Sequence, residues 1–308
     1  MTTALMLLLF LLLFLIFASL VIFVIGPGML LQPYRRTVEY YRRITPVLHP
    51  SDLGLGFEEL TLRTGEGILL SCWILFPDGP PRGTVLYLHG VSECKIAGLP
   101  MAEVLVRRGF MVFLYDARRH GESGGSHCTY GFYEKHDPTT ILNYLFARSD
   151  LAVGRVGLFG ASMGAAVALQ AAALDDRVTA VVAESGFATL RSVFDDYQKR
   201  MIKLPWHYLR NIVIKRSELM AHFKASAVSP LEAVRQLRIP LLLVHGTADD
   251  RIRSSYTERV YEQASSPKEI WLIPGARHDN MWEIGGEEYR QRVAAFFEKH
   301  LTPQSGSQ

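Results

Sequence analysis

The chain has 308 residues, with 33 Lys and Arg against 30 Asp and Glu, a formal net charge of +3. From Met1 to Tyr34 there is no charged residue or histidine, and Arg35–Arg43 (RRTVEYYRR) holds four arginines and one glutamate, so the whole excess sits in nine residues. A nucleic-acid binder would spread basic charge over a broad surface, and disorder does not fit 49% hydrophobic against 20% charged residues.

The first element is Ala4–Ile25, 22 residues in which only Ser19 is polar. At about 1.5 Å per residue a helix of that length spans about 33 Å, enough for the hydrocarbon of a bilayer. A cleaved signal peptide would want a basic start and a shorter apolar core, and this segment has neither. The reading is a single-pass membrane anchor over residues 1–28, broken by Gly26-Pro27-Gly28. A basic juxtamembrane linker over 29–56 is expected to follow it. Arginines 35, 36, 42 and 43 lie on its C-terminal side, so the positive-inside rule keeps the body in the cytoplasm. Tyr34, Tyr40 and Tyr41 suit the headgroup zone.

Beyond Pro46 and Pro50, Phe57–Arg63 alternates apolar and polar residues. Ile68–Phe76 follows across the Gly65-Glu66-Gly67 turn, which predicts a hairpin. Later strands are continuous apolar runs: Thr84–Leu88, Phe110–Tyr115, Val156–Phe159, Val178–Ala183, Pro240–Val244 and Glu269–Ile273. Runs of this kind suit a parallel sheet buried on both faces. Helical periodicity fills the gaps at Leu99–Arg108, Glu134–Ala147, Met163–Leu174, Leu231–Gln236, Ser255–Ala264 and Glu287–His300. The pattern predicts an α/β domain over 57–301 with a mainly parallel eight-stranded sheet flanked by helices, and a disordered tail over 302–308.

One stretch breaks the alternation. Residues 187–229 hold no strand, and from Tyr197 to Lys224 they carry seven basic residues against Glu218 alone. Ligands bind at the C-terminal edge of a parallel sheet, where this insertion falls, so a short helical lid is expected, its basic residues forming either an ordinary solvated helix face or a surface for anionic lipid or an acidic substrate. The three cysteines, Cys72, Cys94 and Cys128, are odd in number and widely spaced. They exclude a complete disulfide framework and show no zinc-type pairing, and each is expected to be a small buried hydrophobe.

The chemistry is concentrated in Gly160-Ala161-Ser162-Met163-Gly164. It follows the apolar strand VGLF and opens an Ala-rich helix, so the chain must turn sharply at the serine and hold its hydroxyl above the sheet edge at a helix N-terminus. A serine nucleophile needs a base, and the base needs an orienting carboxylate. Asp249 stands just past the strand PLLLV and His278 just past WLIPG, on loops at the same edge and in the order acid then histidine. Asp250 is the rival acid. Of the other histidines, His89 and His245 precede glycines at strand ends and suit loop bracing. For the oxyanion, the N–H of Met163 and an N–H of the loop His89-Gly90-Val91-Ser92, Val91 first and Ser92 second, are the candidate donors.

On these motifs the chain resembles the α/β-hydrolase superfamily, and within it the membrane-anchored, short-lid hydrolases of the Bem46 and ABHD type. The resemblance runs from about Phe57 to Leu301 and includes Asp116-Ala117-Arg118-Arg119-His120-Gly121-Glu122-Ser123-Gly124-Gly125. It implies that Asp116 and His120 brace the site, and that Arg119 replaces a glycine often found there. An aspartate nucleophile, as in the dehalogenases and epoxide hydrolases of this fold, is excluded by Ser162. The expected activity is hydrolysis of a small-molecule or lipid carboxylic ester through an acyl-enzyme, with no cofactor or metal and no nucleic-acid partner. Thioesterase, lipase or acyltransferase chemistry are alternatives, with peptidase activity or a non-catalytic tethered module behind them.

Overall fold

The computed structural model describes residues 3–201 and 207–303. Lys203 and Trp206 of the basic insertion and the tail 304–308 lie outside the described residues, as does the side chain of Arg200. Eight strands form one sheet: β1 (Gly56–Arg63), β2 (Leu69–Phe76), β3 (Thr84–Leu88), β4 (Met111–Tyr115), β5 (Val156–Ala161), β6 (Val178–Glu184), β7 (Leu241–Gly246) and β8 (Lys268–Ile273). Their spatial order is β1-β2-β4-β3-β5-β6-β7-β8. Strand β2 runs antiparallel to β1 and β4, and every other pair is parallel.

The helices are α1 (Thr3–Leu20), α2 (Gly26–Leu31), α3 (Val38–Tyr41), α4 (Leu99–Arg107), α5 (Asp137–Ala147), α6 (Met163–Ala172), α7 (Leu190–Met201), α8 (His207–Met220), α9 (Pro230–Gln236), α10 (Ser254–Gln263) and α11 (Met281–Leu301). Successive strand residues alternate between two cores. Leu86 and Leu88 face the layer containing α5, α6, α9 and α10, whereas Val85 and Tyr87 face α4 and α11. Both sheet faces are therefore covered, which is why the parallel strands are largely apolar. The periodicity placed the start of the last helix at Glu287. It begins instead at Met281 and is interrupted by Gly286, whose φ of 53° and ψ of −139° are not helical. Cys72, Cys94 and Cys128 are all buried.

The N-terminal helix departs from expectation. It does not stop at Gly26-Pro27-Gly28 but runs from Thr3 to Leu31, 29 residues, long and apolar enough to cross a membrane. Proline lacks an N–H and its ring collides with the carbonyl four residues back. Here the turn Val21–Ile25 is a π-turn in which Gly26 N–H reaches back to Val21 O, and that extra residue lets the helix pass the proline. The far end is docked on the body. Leu31 is fully buried, Leu31 O accepts from Cys128 N–H at 2.8 Å, and Leu30 O accepts from Tyr130 Oη–H at 2.7 Å. Helix α8 packs against α2 and the π-turn.

Residues 32–41 continue as a packed strap. Arg35 donates to the carbonyls of His120 and Ser123, Arg36 N–H to Ser92 O at 3.1 Å, and Tyr41 is buried. Two of the four arginines are thus engaged with the body, while Arg42 pairs with Glu39 at the surface and Arg43 is exposed.

Candidate active site

Between β5 and α6 the backbone of Ser162 takes φ 55° and ψ −114°, a conformation rare for any residue with a side chain. The flanking glycines are required by space. A Cβ on Gly160 would sit 2.2 Å from Gly164 O, and one on Gly164 would sit 1.9 Å from Leu88 O. The turn is closed further by Ser162 N–H donating to Glu184 O at 2.8 Å.

Three side chains from separate loops converge on this turn. His278 Nε2 lies 2.9 Å from Ser162 Oγ, and His278 Nδ1 lies 2.7 Å from Asp249 Oδ2. The other carboxylate oxygen, Oδ1, accepts the N–H groups of Arg251 and Ile252, each at 2.9 Å. Behind it, His245 Nε2 is 3.2 Å from Asp249 Oδ2 and 2.8 Å from Ile252 O, with Nδ1 2.6 Å from Thr257 Oγ1. Burial works to raise the pKa of Asp249, but hydrogen bonds from His245 and His278 outweigh it and hold the carboxyl well below its usual range. An ionised Asp249 fixes Nδ1–H of His278 and leaves Nε2 free to accept a proton from Ser162. The rival, Asp250, is exposed and borders a cavity of about 270 Å³ with Arg251, Arg277 and Asp279.

The loop after β3 presses against Ser162, since a Cβ on Gly90 would lie 3.3 Å from Ser162 Cβ. Among the described residues neither Val91 N–H nor Met163 N–H has a hydrogen-bond partner, and Met163 is the first residue of α6. Ser92 turns the loop at φ 68°.

Buried polar groups brace this loop. Ala117 N–H donates to His89 Nε2 at 2.9 Å, so Nδ1 carries the hydrogen bonded to Gly90 O at 2.7 Å. Burial pushes the His89 pKa down to about 4 and that of His120, 5.1 Å away ring to ring, down to about 3, so both are neutral near pH 7. Asp116 accepts from the N–H groups of Lys95 at 2.6 Å and Glu122 at 2.8 Å and pairs with Lys95 Nζ at 3.0 Å. Its position and that of His120 are structural ones.

One residue of this loop escaped the sequence reading. Glu93 Oε2 accepts Gly90 N–H at 2.9 Å and Oε1 faces the Arg36 guanidinium at 3.5 Å. A carboxylate three residues after a glycine in a tight turn is the signal that could have been used, by analogy with a capping box. A charged cavity of about 680 Å³, lined by Arg42, His49, Trp73, Lys95 and Glu122 among others, includes no triad member. The hydrogen-bonded Ser-His-Asp geometry outweighs its larger size as a guide to chemistry. Among the described residues no group of three or more His, Cys, Asp or Glu is placed to hold a metal ion.

A sheet of this order, with a serine on the turn after β5 and helices on both faces, defines an α/β-hydrolase. Residues 79–230 match the family described as serine aminopeptidase, S33. The chain is 31% identical over 217 residues to the uncharacterised protein YqkD of Bacillus subtilis, covering 70% of this chain and 71% of that one. Over 91% of its length it is 26% identical to protein bem46 of Schizosaccharomyces pombe, of which it covers 90%. Among solved structures, an esterase of Pyrococcus furiosus superposes with a TM-score of 0.69 at 27% identity, over 82% of this chain and 94% of the esterase. The chain belongs to the α/β-hydrolase family, whose activity is hydrolysis.

Proposed function

We propose that the protein is a membrane-anchored serine hydrolase of carboxylic esters, working through an acyl-enzyme. The observation that carries this reading is the continuous line from Asp249 Oδ2 through His278 to Ser162 Oγ, at 2.7 and 2.9 Å, on a strained turn. Ser162 Oγ attacks the acyl carbonyl while His278 Nε2 takes its proton. The imidazolium is stabilised by Asp249 and returns the proton to the departing alkoxide. The tetrahedral oxyanion rests on the N–H groups of Val91 and Met163. Water, deprotonated by His278, then releases the acid and restores Ser162.

The esterase among the structural neighbours favours oxygen esters. The 29-residue apolar helix supports the anchor, and exposed Arg42 and Arg43 at its C-terminal side support a cytoplasmic body. The test is labelling with a fluorophosphonate together with a panel of oxygen esters, thioesters and aminoacyl amides. We expect a single adduct on Ser162, abolished in Ser162→Ala with a rate loss of about 10⁴-fold or more. No adduct on the wild type, or an undiminished one on Ser162→Ala, would overturn the reading. Faster turnover of thioesters or amides than of oxygen esters would replace the substrate class. Extraction of the full chain by buffer without detergent would overturn the anchor.

A further inference from the structure

We infer that the strap leaving the N-terminal helix positions the oxyanion donor, with Arg36 and Glu93 as positioning residues for Val91 N–H. The inference rests on the serine-hydrolase reading above and adds to it a dependence on the juxtamembrane segment.

A trans peptide points its N–H opposite to its C=O, so whatever pins the carbonyl of Gly90 also aims the N–H of Val91. Gly90 O is held from two sides, by His89 Nδ1 at 2.7 Å and by Glu93 N–H at 3.2 Å. The preceding N–H, that of Gly90, is held by Glu93 Oε2 at 2.9 Å. The peptide carrying Val91 N–H therefore hangs on His89 and Glu93, immediately beside Ser162.

His89 is fixed in the body through Ala117 N–H, but Glu93 is fixed by the strap. Its other oxygen, Oε1, faces the Arg36 guanidinium at 3.5 Å, and the backbone N–H of Arg36, which any substitution there keeps, donates to Ser92 O at 3.1 Å. That second bond restrains a residue at φ 68°, where a serine gains nothing from its own backbone preference. Arg36 is stacked over the Tyr40 ring at 4.8 Å, and its neighbour Arg35 donates to the His120 carbonyl at 3.2 Å. The strap thus ties the oxyanion loop and the loop after β4 to the end of the helix, where Leu31 is buried.

The experiment compares full-length Arg36→Ala, Glu93→Gln, Arg36→Lys and Arg42→Ala with the wild type. The readouts are ester kinetics, melting temperature and inhibition by a boronic acid that forms a tetrahedral adduct on serine. Loss of an oxyanion donor lowers kcat about 10²–10³-fold, so misaiming one should lower it about tenfold in Arg36→Ala and Glu93→Gln. KM should stay within about twofold and boronate affinity should weaken in step with kcat. Arg36→Lys should recover part of the loss. Arg42→Ala, which removes the same charge from a surface pair, should match the wild type.

Wild-type kcat in folded Arg36→Ala and Glu93→Gln would overturn the inference. So would a fall in kcat that follows melting temperature while boronate affinity is unchanged. If the wild type itself takes no fluorophosphonate, the serine-hydrolase reading fails and this inference with it. A labelled wild type with unaffected variants sinks only the positioning role.

Discussion

Two regions meet at Ser162, and they are held by different physics. The turn between β5 and α6 is fixed at its own residues: Gly160 and Gly164 are needed because a Cβ would meet backbone, Gly164 O at 2.2 Å for the first and Leu88 O of β3 at 1.9 Å for the second. The loop beside it, from His89 to Glu93, is fixed from a distance by Ala117, which bonds His89, and by the Arg36 strap, which meets Glu93. A local constraint prints itself on consecutive residues, so it can be read as a motif. A distant one is shared among residues more than fifty positions apart, as Arg36 and Glu93 are.

The largest effect should come from breaking the local region. Gly164→Ala would place a Cβ 1.9 Å from Leu88 O, and both contacting groups are backbone, so α6 must leave β3. Overpacking that no side chain can relieve exceeds the usual ~1–3 kcal/mol, and soluble folded protein should be lost rather than activity alone. Circular dichroism of the purified variant measures this. Native spectra with an unchanged melting temperature would show that the turn is less constrained than its geometry demands.

Next in size is the acid response of the braced region. Unfolded, His89 and His120 bind protons near pH 6.5; folded, His89 does so near 4 and His120 near 3. Between those values the unfolded chain holds more protons, so stability is complete at neutral pH and falls as the pH drops. Together the two histidines should cost about 5 kcal/mol between pH 7 and 4.5, read from urea unfolding at each pH. His120→Asn should remove roughly half of that slope. A flat profile would mean that both rings are charged, or solvated, in the native state.

Much of this contrast decided what was legible in the sequence. Six of the eight strands followed from apolar runs because both sheet faces are covered, the first two from alternation across a tight turn, and Ser162, Asp249 and His278 could be proposed because each lies just past one of those runs. Gly26-Pro27-Gly28 misled because breaking a helix is an average property of those residues, and a π-turn evades it here. The arginines at 35 and 36 were legible only as net charge. Their partners, the carbonyls of Ser123 and His120 and the Glu93 carboxylate, have no periodic or spaced relation to them.

A smaller effect tests whether the strap belongs to the body. Leu31 is fully buried at the end of the N-terminal helix and packs in the same core as Cys128. Leu31→Ala removes that contact and leaves a void, so it should destabilise the body by about 2–4 kcal/mol in detergent-solubilised full-length protein. A change below about 0.5 kcal/mol would make the helix end a mere tether.

The smallest effect separates backbone strain from charge in the loop that Arg35 grips. Arg119 occupies the left-handed region at φ 69°, where the family resemblance places a glycine, and its positive charge repels that of Arg35. Relief of left-handed strain is worth about 1–2 kcal/mol, and the extra freedom of an unfolded glycine returns about 0.5–1 of it. Arg119→Gly should therefore stabilise the protein by about 0.5–1 kcal/mol by thermal or urea unfolding. Arg119→Asn tolerates the same φ and removes the same charge without the glycine entropy. If Asn gains at least as much as Gly, strain and charge account for the effect. If both variants lose stability, the guanidinium makes a contribution that outweighs its conformation.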